Sequence, residues 1–570
     1  MKIIRQLLAV LLLLFFVIAC NEKTKNSDKA AKSDSQISNL TITDLKQSDA
    51  PAQAPPSADY QKIVAVPDEN ADIKVESREG EKDEALVEKP KDNKQVFNTE
   101  DYDNIIENKF LAATKNPLST FSIDVDEAAY SNVRRYLENG SLPPAGAVRI
   151  EEMINYFDYV YPKPEAGEPF TVNTEISDCP WNTQHRLVHI GLQGKEIPVE
   201  NLPPSNMVFL IDVSGSMNEP NKLPLVQASL NMLVDQLREK DKVAIVVYAG
   251  NAGLVLPSTS GINKIKIKEA INDLEAGGST AGGEGIQLAY KVAKDNFIKE
   301  GNNRIILATD GDFNVGVSSD DELVRLIENE RKAGVFLSVL GYGMGNYKDN
   351  KMQQLADKGN GNHSYIDNIS EARKVLVNEF GSTLFTIAKD VKIQIEFNPS
   401  KVQAYRLIGY ENRMLAAEDF NDDTKDAGEL GSGHTVTALY EIIPNGVKDG
   451  FIKSVDPLKY QYNNGEIAEE DSPEIMTIKL RYKEPVGEVS KLINHPVIDS
   501  HLKLANTSDN FRFSAAVAEF GLLLRDSEYK QQSSFSQVAS LAKSAKGNDE
   551  SGYRSEFIRL VESATSFVKR

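Results

Sequence analysis

The chain has 570 residues, too many for one ordinary core, so two to four domains are expected. Its 64 basic and 84 acidic side chains give a formal charge of −20, and no basic block offsets it. That balance excludes nucleic acid as a partner and disfavours electrostatic adhesion to an anionic membrane surface.

Membrane attachment is predicted by another route. Lys2 and Arg5 precede an apolar run from Leu7 to Ala19, short of the roughly 20 residues a bilayer span needs and shaped like a signal-peptide core. The run ends Val17-Ile18-Ala19-Cys20, which resembles the bacterial lipobox. The resemblance implies that residues 1–19 are cleaved off as a signal peptide and that Cys20 carries lipid. Each buried methylene contributes about 0.8 kcal/mol, and more than one chain gives stable anchoring. An ordinary signal peptide with a chance cysteine and an uncleaved anchor are the alternatives. With Cys20 lipidated, Cys179 is the only other cysteine, which rules out an intrachain disulfide. Beside Trp181 it is expected to act as a small buried hydrophobe.

Residues 20–96 are rich in Lys, Asp, Glu, Ser, Ala and Pro, with few large hydrophobes. Such a segment cannot bury enough apolar surface to offset its ordering entropy. It is predicted to be a disordered tether with an r.m.s. span of roughly 50 Å. Folded sequence follows. In 97–169, PLSTFSIDVDEAAY reads as a strand entering a helix, SNVRRYLENG ends at a capping Gly140, and AVRIEEMINYF follows Pro143-Pro144 as a further helix. Residues 170–204 hold two strand-like runs, Phe170 to Ile176 and Arg186 to Leu192.

Residues 205–385 repeat strand then helix. Strands are predicted at 206–211, 242–248, 304–308 and 335–340, with short ones near 254–256 and 363–366. Helices fall near 222–238, 265–275, 284–298, 320–332, 350–357 and 370–384. The alternation predicts an α/β fold with a doubly wound, mostly parallel, Rossmann-like sheet. One run within it stands out, NMVFLIDVSGSM. An uncharged strand stops at Asp212, and the hydroxyls of Ser214 and Ser216 follow at alternate positions. Ligands of open α/β sheets collect beyond the carboxyl ends of the strands. Three hard oxygens delivered there suit a small hard cation such as Mg²⁺.

In 386–490 the runs VKIQIEFN, VQAYRLIGY, TVTALYEII and IMTIKLRYK are β-type, with no helices between them, so antiparallel pairing is expected. These strands and those of 170–204 flank the α/β domain. They are predicted to form one β-sandwich into which that domain is inserted; two separate β subdomains are the alternative. Residues 491–570 carry apolar positions at helical spacing and are predicted to be a helical region.

The central region resembles the von Willebrand factor type A (VWA) domain. That family's metal-ion-dependent adhesion site (MIDAS) uses a D-x-S-x-S loop, matched by Asp212, Ser214 and Ser216. The resemblance adds a threonine, here Thr280 in GGSTAGGEGI, and an aspartate after a later strand, here Asp310 in IILATDGDFN. It implies a divalent ion, Mg²⁺ or otherwise Mn²⁺ or Ca²⁺, with a coordination position left for a partner. If Asp310 reaches the ion only through water, the first shell is short of negative charge, and an Asp or Glu carboxylate on a protein ligand completes it. Beyond this domain, residues 116–157 and the stretch holding FGLLLRDSEYK and GYRSEFIRLVESA resemble a bacterial lipoprotein family typified by YfbK. That family pairs a VWA-associated N-terminal segment with a C-terminal domain of unknown function.

Other patterns are weaker. The serines are also ordinary helix caps. Asp310, Asp312, Asn314 and Asp321 mimic a calcium loop, but the glycine is misplaced. Glu284 is a plain helix-dipole partner. Asp124 and Asp126 are read as a strand end. The glycines at 277–285 lack a phosphate-loop lysine, and His185 and His189 alone do not make a zinc site. No nucleophile, base and oxyanion set is evident, so the protein is expected not to be an enzyme. The expected function is that of a lipid-anchored protein of the bacterial cell envelope that binds a protein ligand through a metal. The alternatives are an envelope scaffold with a structural metal and a metal-dependent hydrolase.

Overall fold

A computed structural model describes residues 99–123, 126–278, 282–311, 320–379, 385–452 and 472–568. All of them belong to one compact unit, Asp92–Arg570. The signal run, Cys20, the stretch to Phe97, and Asp124, Thr280, Asp312 and Asn314 lie outside the described residues.

The central sheet has the order His363–Ile366, Val335–Tyr342, Asn302–Thr309, Ser205–Asp212, Lys242–Tyr248, Ala252–Ser260. The first five strands are parallel, and Ala252–Ser260 runs antiparallel at the edge. Every residue of the two central strands is buried, as a parallel sheet covered on both faces requires. The pleat sends alternate side chains to opposite cores. Met207, Phe209 and Ile211 meet helices Leu223–Gln236 and Lys264–Asn272, whereas Val208 and Leu210 meet Gly282–Asp295, Asp320–Lys332 and Asp349–Lys358.

Two predicted elements differ. The strand expected near 254–256 spans Ala252–Ser260; Gly253, Pro257, Ser258 and Thr259 hide it from a hydrophobic count, because an edge strand needs no continuous apolar run. Of the helix expected over 370–384, the described part is Ile369–Arg373 followed by a π-helical turn, Lys374–Asn378, and residues 380–384 lie outside the described residues.

The flanking strands form two antiparallel sheets. One has the order Leu111–Ala112, Val402–Ile408, Thr435–Pro444, Asn182–Gly194, Phe170–Cys179. In it Arg186 pairs with Ile442 and Gln193 with Thr435, so strands before and after the α/β domain share one sheet. The other has the order Met414–Leu415, Leu118–Ser122, Thr386–Phe397, Glu474–Lys483, Lys491–Ile498. The facing residues Ile190, Val436, Tyr440, Ile393, Ile478 and Leu480 pack in one core, which makes the pair a sandwich.

The sequence-based boundary at 491 is corrected here. Lys491–Ile498 is a strand paired with Glu474–Lys483, and the helical region begins at Asp509. As a largely exposed edge strand carrying Pro496 it shows no clean alternation. The segment 97–169 likewise is not separate. Leu118–Ser122 is a sandwich strand, and helices Ala128–Glu138 and Ile150–Asn155 share a core with the C-terminal helices Asp509–Leu524, Phe535–Ser544 and Tyr553–Val568. Within it Phe157 packs edge-on against Phe513 at 4.9 Å between ring centres. Cys179 and Trp181 are fully buried in the same core. Burial pushes the Cys179 thiol well above its ordinary value, so it behaves as a hydrophobe.

Candidate metal centre

The chain leaves strand Ser205–Asp212 for a neighbour on one side, Lys242–Tyr248, and later returns on the other side as Asn302–Thr309. The strand order therefore reverses where Asp212 and Asp310 end adjacent strands. In open α/β sheets this reversal opens the binding crevice.

The loop after Asp212 is fixed by backbone bonds. Val213 N–H donates to the Tyr248 carbonyl at 3.0 Å, Gly215 N–H to Gly278 at 3.0 Å, and Gly277 N–H to Val213 at 2.7 Å. These bonds tie the D-x-S-x-S loop to the segment that leads to Thr280. Ser214 N–H donates to Asp212 Oδ1 at 2.9 Å, and the Ser214 and Ser216 hydroxyl oxygens lie 3.0 Å apart. Neither serine caps the next helix. The residue preceding Leu223–Gln236 is Lys222, and no side chain caps that end. The two hydroxyls are thus left to the loop, as a ligand role requires.

Asp310 follows strand Asn302–Thr309 and is fully buried. Its Oδ2 accepts from Lys222 Nζ at 2.8 Å, and Asn346 and Ser216 donate to the same carboxylate. Gly311 next to it has a φ of +98°, and a Cβ there would stand 2.7 Å from Lys348 N. Only glycine lets Asp310 and the loop around Tyr347 approach this closely. That loop is clasped from outside. Thr99 N–H donates to Gly345 O at 2.7 Å, Asp101 N–H to Tyr347 O at 3.0 Å, and Gly345 N–H to Glu100 Oε1 at 2.8 Å.

The two carboxylates have different surroundings. Burial works against ionisation of Asp310, but the bonds from Lys222, Asn346 and Ser216 and the Lys222 charge hold its carboxyl below the usual range. Burial pushes Asp212 up to about 6, with the Asp310 charge adding to it and bonds from Ser214 and Tyr248 opposing. Among the described residues no cation pairs with Asp212; its donors are the Ser214 hydroxyl and N–H, the Thr309 hydroxyl at 3.3 Å and the Tyr248 hydroxyl. A buried carboxylate facing only neutral donors, with the Ser214 and Ser216 hydroxyl oxygens beside it, fits a hard dication. Protons compete for the same group. Below pH about 6 metal affinity is expected to fall about tenfold per pH unit, and above it to level off. Calorimetric titration with Mg²⁺ or Mn²⁺ at several pH values checks this.

The structure brings Asp212, Ser214, Ser216 and Asp310 together at the carboxyl ends of two adjacent strands, while Thr280 lies outside the described residues. Lys222, Asn346, Thr309 and Tyr248 also belong to the site and carry no motif that announces them. The remaining candidates take structural places. Asp126 accepts from His363 N–H at 2.7 Å and from Arg413 at 3.2 Å. His189 bonds Tyr161, and His185 lies between Glu441 and Asp449. Glu284 sits in the first turn of its helix.

This fold and this loop define a VWA domain, a class whose MIDAS motif holds a divalent cation. The von Willebrand factor type A domain model matches residues 206–378, a model described as von Willebrand factor matches 96–189, and one described as "Uncharacterized protein YfbK, C-terminal" matches 382–567. The chain is 46% identical over 470 residues to the uncharacterized protein YfbK of Escherichia coli K12, covering 81% of this chain and 80% of that one. It belongs to the YfbK family. Inter-alpha-trypsin inhibitor heavy chain H3 of Homo sapiens is 27% identical over 176 residues, which are 30% of this chain and 19% of that one. Among solved structures, a von Willebrand factor type A protein from Catenulispora acidiphila aligns with a TM-score of 0.36 at 14% identity, over 80% of this chain and 91% of that one.

Proposed function

We propose that this protein is a cell-envelope lipoprotein that binds a protein ligand through a Mg²⁺ ion held by Asp212, Ser214, Ser216, Thr280 and Asp310. The observation that carries the proposal is the unequal treatment of the two buried carboxylates. Asp310 has its own cation, Lys222, while Asp212 meets neutral donors only. With one uncompensated carboxylate and neutral hydroxyls, the site leaves a dication attractive to an outside Asp or Glu. Mg²⁺ prefers such an all-oxygen shell. When bound, the ion would supply charge and a coordination position, and the chain's own residues would hold and orient it.

Binding of the envelope partner is expected in Mg²⁺ and lost both in EDTA and in Asp212→Ala, measured by affinity capture from envelope extract. Partner recovery that survives both treatments would sink the proposal. The lipid anchor is proposed from the Cys20 context. Metabolic labelling with a palmitate analogue is expected to vanish in Cys20→Ala, and label persisting elsewhere would refute it.

A further inference from the structure

Lys222 is the residue immediately before helix Leu223–Gln236, and it is only 5% exposed. Its Nζ donates to Asp310 Oδ2 at 2.8 Å and to Asn346 Oδ1 at 3.4 Å. The stem runs along Gly343, whose φ is +74°; a Cβ there would come within 2.5 Å of Lys222 Cε. The fold has left room for the lysine stem and confines it, so the ammonium cannot swing away to solvent. A buried ammonium is costly unless it is paired and hydrogen-bonded. Asp310 and Asn346 supply both.

The consequence lies in the charge available to an ion. Two free carboxylates would neutralise a dication without help from outside. With Lys222 bound to Asp310 that pair is neutral, and an ion beside Asp212 meets one net negative charge. We propose that Lys222 is a fixed counter-cation to Asp310, which restrains metal affinity and keeps the bound ion short of charge until a ligand carboxylate arrives. Lys222 is thus a positioning residue that tunes the ion's appetite for an acidic ligand. The inference rests on the metal-dependent binding proposed above.

The test uses the full chain as wild type, Lys222→Met, Lys222→Gln and Lys222→Arg, with two readouts. Calorimetry with Mg²⁺ alone reads metal affinity. Water-proton relaxation of the Mn²⁺-loaded protein, titrated with acetate, reads carboxylate ligation. Lys222→Met and Lys222→Gln are expected to bind Mg²⁺ at least about tenfold more tightly, the effect of removing one adjacent positive charge. Acetate is expected to ligate the ion several-fold less well in both, and Lys222→Arg to stay near wild type. A merely structural lysine would give the opposite sign, weaker metal binding on removal. Should Lys222→Met fail to fold, Lys222→Gln, which keeps a neutral polar head on a shorter stem, decides. Unchanged or weaker Mg²⁺ binding in the folded neutral variant, or unchanged acetate ligation, overturns the role of Lys222 while the metal site stands. Absence of Mg²⁺ binding in the wild type overturns both.

Discussion

In EDTA near pH 8, Asp212→Asn is expected to melt above the wild type, and added Mg²⁺ is expected to raise only the wild type. The reason is the cost of a buried charge. Asp212 is fully buried, and burial, with Asp310 beside it, lifts its carboxyl from 3.8 to about 6. The folded state then holds its proton more tightly than the unfolded state. Stability from this group is present below 3.8 and is lost as pH rises to about 6. A displacement of that size corresponds to about 3 kcal/mol at neutral pH. Asparagine removes the charge and keeps an oxygen to accept from Ser214 N–H. Its amide nitrogen then faces hydroxyls in place of a carboxylate oxygen, which returns about 1 kcal/mol. For one compact unit as large as Asp92–Arg570, a net gain of about 2 kcal/mol shifts melting by about 1 °C per kcal/mol. The gain should fade as pH falls toward 4, because the wild-type group is then protonated too. Scanning calorimetry across that range checks the sign. A variant that melts below wild type in EDTA at every pH would show that Asp212 carries no such cost, and the case for a missing cation would weaken with it.

What the sequence could reveal depended on whether a signal was local. The strand ending in Asp212 and the two serines is a contiguous run, and Asp310 closes a second apolar strand, so both were legible. The alternation of strands and helices made the parallel sheet legible for the same reason. Lys222 was visible only as the start of a helix. Its role depends on Gly343, more distant in the chain, leaving room for its stem. Asn346 and the Thr99–Asp101 clasp act through side-chain and backbone bonds that impose no hydrophobic period. The insertion of one domain into a sandwich was legible because strands sat on both sides of it. The edge strand Lys491–Ile498 was not, since solvent on its outer side relaxes the demand for alternation. Sharing of a core by the N-terminal and C-terminal helices also escaped, because both show the same apolar stripe whatever they pack against.

That shared core depends on one arginine, and Arg134→Met is expected to be among the most destabilising single changes. Arg134 is 1% exposed on helix Ala128–Glu138. Its Nε donates to Asp367 at 2.8 Å, Nη2 to Glu371 at 2.7 Å, and Nη1 to Glu556 and to the Tyr156 hydroxyl, each at 3.0 Å. Asp367 and Glu371 follow the last strand of the α/β sheet, and Glu556 lies on the final helix. One side chain thus joins the N-terminal segment, the α/β domain and the C-terminal helices. A methionine fills the volume but leaves Asp367 and Glu371 buried without their cation. Removing one partner of a buried pair costs about 3–5 kcal/mol. The cost should depend on pH. Burial already raises Asp367 to about 6 against the pull of Arg134, and losing that pull raises it further. Protonation then relieves the variant at low pH, so the loss is larger near pH 8 than near pH 5. Adding Asp367→Asn to Arg134→Met should restore part of the stability at pH 8, where a simple packing defect would not respond. Denaturant melts of the single and double variants at both pH values measure the difference, and equal losses at the two would attribute the effect to packing alone.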